Sequence, residues 1–126
     1  MVNVIVGGGI AGKSLAAFLR ARGIPFTLLS GSSNAVLSRP DFGIGIWSPA
    51  LIKFKELGIL PNLEREGSYI GVSGYKAMNG QWLAQPSPLG TDPSNGPALL
   101  FLKESVLMKE LDALLPPPIP AGADDD

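Results

Sequence analysis

The sequence contains neither cysteine nor histidine. Without cysteine the chain can form no disulfide, no thiolate metal site and no thiol nucleophile, and its redox compartment stays undetermined. Without histidine it lacks the commonest general base and metal ligand of proteins. We therefore expect no metal site and no catalytic residue. Any chemistry has to come from a bound cofactor, for which the protein supplies position and electrostatics.

Strong net charge and long apolar runs are also absent. The formal net charge of −1 gives no reason to expect nucleic acid or an anionic membrane as a partner. No apolar run approaches the ~20 residues that a transmembrane helix needs. A strand-like run follows Met1 at once, so no signal or transit peptide is visible. We expect a soluble protein, cytoplasmic or organellar, since a processed organellar protein would look the same.

Glycine and proline, by contrast, are abundant, with 16 and 12 residues in a chain of 126. The prolines concentrate after residue 70, which predicts a second half rich in loops. The length is enough for one small domain. The most informative glycines lie near the N-terminus, inside the first 30 residues.

Those first residues have the order strand, glycine turn, helix, strand. The pieces are the apolar run 2–6, the G-x-G-x-x-G motif in 7–12, a helical pattern over 10–22 closed by Gly23, and an apolar run over 24–29. Gly7 allows a sharp turn, Gly9 lets a pyrophosphate approach the backbone, and Gly12 allows close helix–strand packing. The helix N-terminus favours an anion. This context predicts a dinucleotide-binding fold, with a glycine turn that binds no ligand as the alternative.

The position after the second strand is unusual for such a fold. An Asp or Glu commonly holds the ribose hydroxyls there, but this chain has Ser30, which is neutral. The nearest acid downstream is Asp41. The polar loop 31–45, which includes Asp41, also contains Arg39. This arginine could reach a cofactor phosphate or ribose, or could be a solvated loop residue. Both interpretations stay open.

The rest of the chain contains further signals for helices and strands. Ser48 as N-cap and Pro49 at the first helical position predict the start of a helix that Gly58 ends. Asn79-Gly80 predicts a β-hairpin at about 69–84, in which Tyr75 and Trp82 are expected to pack in the core. The remaining predictions are a short helical turn at 61–66, a Pro/Gly-rich loop without packed structure at 85–97, a strand at 98–102, a third helix from Glu104 to about residue 115, and a Pro-rich, acidic, disordered tail at 116–126.

With these pieces placed, the chain resembles the N-terminal part of the class A flavoprotein monooxygenases, the para-hydroxybenzoate hydroxylase-like group. The stretches that carry the resemblance are 4–12, 43–51, 57–59 and 101–111, in the order and spacing of the family. The resemblance implies an α/β fold, a truncated Rossmann-like (GR2-type) FAD-binding βαβ unit with an added β-hairpin and a third helix. The partial FAD/NAD(P)-binding domain then spans residues 1–115.

The resemblance also implies a cofactor and a set of residues that bind it. Members of the family bind FAD, reduce it with NAD(P)H and hydroxylate small, often aromatic, substrates. Carried onto this sequence, the pyrophosphate faces Gly7, Gly9, Gly12 and the backbone of Ile10 and Ala11, the ribose faces the position of Ser30, and Arg39 and the start of the third helix near Lys103 lie close to the cofactor.

Several residues depart from the family's pattern. Ser30 replaces the ribose acid, and Glu104 stands where the family has an arginine, with Lys103 one residue early. Lys13 stands where an apolar residue is usual, and it could offset phosphate charge or point to solvent. The chain corresponds to about the first third of a family member, without the segments that close over the flavin. We therefore expect FAD binding to be weak or lost.

Two functions remain open from the sequence. The first is an FAD-binding segment of a flavin-dependent monooxygenase, inactive alone and packed against other protein chains. The second is a non-catalytic structural subunit, a pseudoenzyme derived from such a protein that no longer binds FAD. Both include partner chains, because two apolar parallel strands are not stable alone and expose uncovered edges.

Overall fold

The computed structural model describes residues 2–31, 40–72, 74–85 and 88–117. In chain order the elements are β1 (Asn3–Val6), α1 (Ile10–Ala21), β2 (Phe26–Leu29), β3 (Gly43–Trp47), α2 (Ser48–Glu56), α3 (Leu60–Glu66), β4 (Ser68–Tyr69), β5 (Tyr75–Lys76), β6 (Trp82–Ala84), β7 (Leu99–Lys103) and α4 (Glu104–Ala113). Arg39 and the acidic tail from residue 118 lie outside the described residues. None of the described helices has the length and apolar character needed to cross a bilayer.

The chain divides into two compact units, which are described separately. Residues Met1–Arg39 and Met108–Asp126 form the first, here called the glycine-turn unit, and Pro40–Leu107 form the second, here called the sheet unit. The helix α4 begins in the sheet unit and ends in the glycine-turn unit.

The glycine-turn unit contains the predicted strand–turn–helix–strand order. β1 and β2 pair in parallel, with Ile5 opposite Leu28. Parallel pairing requires a crossover connection, and α1 provides it. Ile5 is buried, as expected for the central residue of a strand that a helix covers on one face. The α/β fold class and the Rossmann-like βαβ unit predicted from the sequence are thus confirmed.

The buried side of α1 differs in detail from the prediction. The apolar residues at 10, 15, 18 and 19 fall at helical spacing, which predicts Leu15 on the packed side, but Leu15 is 50% exposed, while Ala16 and Ala17 are buried. Small side chains there allow a helix to approach its neighbours closely. The helix ends as predicted at Gly23, whose φ of +66° lets its N–H donate to the carbonyl of Arg20.

One face of the β1–β2 pair is not covered by any described residue. Val4, Val6 and Leu29 are 60%, 81% and 51% exposed. Successive side chains of a strand point to opposite faces, so these residues lie on the side opposite Ile5. Apolar residues on both faces are typical of parallel strands with two covered faces, and here only one face is covered.

The sheet unit is built on three antiparallel strands in the order β3–β7–β4. Its buried residues include Ile46, Leu100 and Leu102, together with Leu51 of α2 and Leu63 of α3. The prediction of a polar loop at 31–45 is wrong for the first residues of β3. The signal was present, because Ile44 and Ile46 alternate with glycines at the period of a strand.

Hydrogen bonds in the sheet unit correct two predictions, one for Ser48 and one for the loop 85–97. The side chain of Ser48 does not cap α2. Its hydroxyl instead donates to the carbonyl of Gly96 at 2.8 Å and accepts the N–H of Ala98 at 2.6 Å. It therefore fixes the loop that precedes β7. That loop is also more structured than predicted, because the carboxylate of Asp92 accepts the N–H of Ser94 at 2.9 Å.

The hairpin is shorter and more exposed than the sequence suggested. β5 and β6 pair around Asn79-Gly80, whereas Ser68–Tyr69 pairs with β7 instead. Tyr75 is 72% exposed and Trp82 is 47% exposed, so the expectation that both pack in the core is wrong. A two-stranded ribbon has no interior of its own, and the ammonium of Lys76 lies 4.4 Å from the centroid of the Trp82 ring.

Candidate functional site

In the glycine turn between β1 and α1, the backbone conformation and close backbone contacts disfavour any residue with a side chain at positions 7 and 12. Gly7 has a φ of +115°, and its N–H donates to the carbonyl of Leu29 at 2.8 Å. A Cβ atom placed on Gly12 would lie 1.9 Å from the carbonyl oxygen of Gly7. Glycine is therefore required at the two positions for different reasons. Residue 7 has a positive φ, and residue 12 has no room for a Cβ atom.

The other side of the turn is open. A Cβ placed on Gly9 would have no atom within 4 Å, and Gly9 and Ala11 are exposed. No side chain caps the N-terminus of α1, and its first turn contains no acidic residue. The N–H groups of Ile10, Ala11 and Gly12 precede the first intrahelical bond, which Lys13 makes to the carbonyl of Gly9 at 3.0 Å. These residues fit a diphosphate, which needs close backbone approach and unpaired N–H groups.

Ser30 lies next to this turn. Its hydroxyl oxygen is 2.6 Å from the position that a Cβ of Gly8 would occupy, and the hydroxyl donates to the carbonyl of Gly31 at 3.3 Å. The side chain is exposed and neutral. The fold thus places residue 30 beside the turn, but the residue there offers one hydroxyl where a carboxylate could accept two hydrogen bonds.

Lys13 forms an ion pair with Asp112, a residue that no sequence motif indicates. Its ammonium forms an ion pair with Asp112 of α4, with Nζ 2.5 Å from Oδ1, and its side chain is only 17% exposed. The interpretation that Lys13 points to solvent is therefore wrong. No sequence pattern could have revealed Asp112, because the contact joins residues from opposite ends of the chain.

In the sheet unit, the carboxylate of Asp41 binds the start of α4. Asp41 accepts the backbone N–H of Ser105 at 3.1 Å and its hydroxyl at 2.6 Å. The hydroxyl bond of Ser105, followed by its N–H bond and the charge of Lys103, lowers the pKa of Asp41 below its usual range. Asp41, which the sequence marks only as the nearest acid after Ser30, therefore caps α4.

A shallow cleft of about 270 Å³ also lies in the sheet unit. It is lined by residues of α2, α3 and the Asp92 loop, among them Lys55 and Glu64. Near it, the hydroxyl of Tyr69 donates to the carboxylate of Glu64 at 2.7 Å, and burial followed by this bond raises the pKa of Tyr69. The mixed charges of the cleft show no preference for an anion, so it is a weaker candidate than the glycine turn.

Of the residues predicted to bind a cofactor, the structure brings those of the glycine-turn unit together. Gly7, Gly9, Ile10, Ala11 and Gly12 form the turn and the start of α1, with Ser30 and Lys13 beside them. Lys103 belongs to the sheet unit, where it is exposed at the end of β7.

Comparison with known proteins agrees with this geometry. No protein-family profile matches the chain. Over 73 residues it is 34% identical to the FAD-dependent monooxygenase pytG of Aspergillus terreus, a match that covers 57% of this chain and 21% of that protein. A solved structure from Photorhabdus luminescens, described as an FAD-containing monooxygenase, is 27% identical with a TM-score of 0.66, and the match covers 89% of this chain and 28% of that one.

Two more distant structures share the fold. One is 2-methyl-3-hydroxypyridine-5-carboxylic acid oxygenase, with a TM-score of 0.68, 21% identity, and coverage of 90% of this chain and 28% of that one. The other is p-nitrophenol 4-monooxygenase from Pseudomonas putida, with a TM-score of 0.61, 18% identity and the same coverage. The chain thus spans between 21% and 28% of the length of these proteins and resembles their N-terminal part. The resemblance inferred from the sequence is confirmed.

Proposed function

We propose that this chain is the FAD-binding segment of a flavin-dependent monooxygenase, inactive alone, and that it holds the diphosphate of FAD at its glycine turn. The observation that carries the proposal is the open, uncapped N-terminus of α1 beside Gly9. A diphosphate there accepts hydrogen bonds from the first N–H groups of the helix and interacts favourably with the helix dipole. The similarity to an FAD-dependent monooxygenase supports FAD as the dinucleotide.

Each residue near the turn has a defined role in this proposal. The backbone of Gly9, Ile10 and Ala11 binds the diphosphate, and Gly12 keeps the helix close to β1. The hydroxyl of Ser30 makes one hydrogen bond to the adenosine ribose. When bound, FAD supplies the redox chemistry of a monooxygenase. NAD(P)H as reductant follows only from the family resemblance, and no residue of this chain is assigned to it.

The chain spans only a fraction of its relatives' length, so activity requires further protein. We propose that other protein, in a separate chain or a continuation of this one, covers the apolar face formed by Val4, Val6 and Leu29. The exposure of these side chains supports this proposal. An apolar face of this kind is the usual mark of a protein interface.

FAD titration of the purified chain, followed by flavin fluorescence and calorimetry, tests the proposal. We expect saturable binding that Gly9→Ala weakens by about tenfold, because the added methyl group fills the approach to the backbone. Gly71→Ala is the matched control, since a Cβ at either glycine would contact no atom within 4 Å. Absence of binding, or equal binding by both variants, would contradict the proposal.

A second function is favoured by a specific observation. Asp41 places a carboxylate at the start of α4, where the family resemblance implies a cation near the cofactor. Together with the neutral Ser30, this supports a non-catalytic structural subunit that no longer binds FAD. In that case the purified protein is colourless, does not bind FAD in the titration, and is recovered in a stable complex with other chains.

A further inference from the structure

Lys13, the residue that follows the glycine motif, forms an ion pair with Asp112 of α4. Lys13 lies in the second turn of α1, and its N–H binds the carbonyl of Gly9 at 3.0 Å. Helical side chains lean toward the N-terminus of their helix, which is the end of α1 that carries the glycine turn. The charge of Lys13, however, is paired with Asp112 at 2.5 Å.

The position of Asp112 is fixed by other contacts of the same helix. Leu111, its neighbour in α4, is fully buried. A second contact holds the end of this segment, because the guanidinium of Arg20 donates to the carbonyl of Leu114 at 2.9 Å. Two contacts therefore join this segment to α1, the ion pair of Asp112 with Lys13 and the hydrogen bond of Arg20 to Leu114.

We propose that Asp112 is a positioning residue that holds Lys13 and thereby lowers the affinity of the glycine turn for a diphosphate. This inference rests on the proposed function, since it concerns the same site. An unpaired lysine one turn from the site adds one positive charge to the dipole of the helix, and the aspartate cancels it. The residue that limits anion binding is thus outside the glycine motif.

The test is ADP binding to the purified full chain at several salt concentrations, measured by calorimetry. We expect Asp112→Asn to bind ADP roughly threefold to tenfold more tightly than the wild type, with a steeper loss of affinity as salt is added. Lys13→Gln should bind more weakly by a similar factor. The double variant Lys13→Gln with Asp112→Asn restores the local charge and should return to wild-type affinity.

Two controls separate this inference from general effects of charge and folding. Glu56→Gln removes an acid from the exposed Lys53–Glu56 pair of α2 and should leave ADP affinity unchanged. Urea unfolding should show little change for Asp112→Asn, because the side chain of Asp112 is 56% exposed. Lys13→Gln supplies an independent measurement if Asp112→Asn is poorly folded.

The outcomes distinguish the inference from the proposed function. If the wild type binds ADP and Asp112→Asn binds it equally or more weakly, the inference is wrong and the proposed function stands. If neither the wild type nor any variant binds ADP or FAD, both are wrong. The expected order of affinity is Asp112→Asn, then the wild type with the double variant, then Lys13→Gln.

Discussion

Individual glycines and carboxylates decide what the candidate site can bind. Gly9 leaves the helix N-terminus open, Gly12 brings the helix against the turn, and Ser30 supplies a hydroxyl without charge. Asp41 caps the start of α4, and Asp112 pairs with the ammonium of Lys13. No sequence motif indicates either residue. The proposed anion site at the glycine turn therefore consists of backbone N–H groups, since the ammonium of Lys13 is paired with Asp112.

Gly12→Ala tests the close approach of helix and strand. Alanine favours a helix over glycine by about 1 kcal/mol, but its Cβ would lie 1.9 Å from the carbonyl oxygen of Gly7, a backbone atom that cannot move aside alone. The clash should dominate, and the free energy of unfolding should fall by about 2 kcal/mol. Urea unfolding, with Gly71→Ala as control, measures it. A stabilised variant would contradict this account of the turn.

Asp41→Asn tests the helix cap through its pH dependence. Hydrogen bonds from Ser105 hold the pKa of the folded carboxyl below the ordinary value of 3.8. The carboxylate therefore contributes stability above that value, and the contribution is lost as pH falls through the lowered pKa. The variant should unfold at lower urea concentration than the wild type at neutral pH, with the difference shrinking in acid. A difference independent of pH would show that the charge of Asp41 is not involved.

The helices and strands follow from local signals more closely than the side-chain contacts do. α1 and α2 both end at a glycine with positive φ, Gly23 and Gly58, whose N–H groups bind carbonyls of the last turn. Two elements were misjudged because of pairing. The sequence predicts part of β3 as a loop and places Tyr69 of β4 in the hairpin, since antiparallel pairing with β7 is not visible in either segment alone.

Gly58→Ala tests the glycine that ends α2. The φ of Gly58 is +77°, and a Cβ there would meet no atom within 4 Å, so the cost comes from the backbone and not from crowding. We expect a loss of about 1 kcal/mol in the free energy of unfolding. Gly58→Asn should lose less, because asparagine tolerates this conformation better. Equal stability of Gly58→Ala and the wild type, in urea unfolding, would contradict the prediction.

For the molecule as a whole, the main feature is the exposed apolar face of β1 and β2. The face belongs to a fold whose solved relatives are several times longer than this chain. Val4 and Val6 are exposed, although nothing in their sequence context distinguishes them from buried strand residues.

Val4→Thr with Val6→Thr tests whether this face binds protein. Threonine keeps the β-branched shape that suits a strand, so the fold should be retained while the apolar surface decreases. We expect weaker self-association or partner binding in analytical ultracentrifugation, with urea unfolding little changed. Asn3→Thr, on the opposite face of the same strand, is the control. Unchanged association would show that this face is not an interface.

The βαβ unit, the glycine turn and the ends of the helices could be predicted from the sequence, because each depends on residues that are close together in the chain. The positive φ of Gly7 and Gly23 and the limited space at Gly12 are features of the local backbone. The partners of Lys13 and Asp41, the exposure of Trp82 and the pairing of β3 could not be predicted in this way. They depend on which distant segments pack together, and that is decided by the burial of apolar surface across the whole chain.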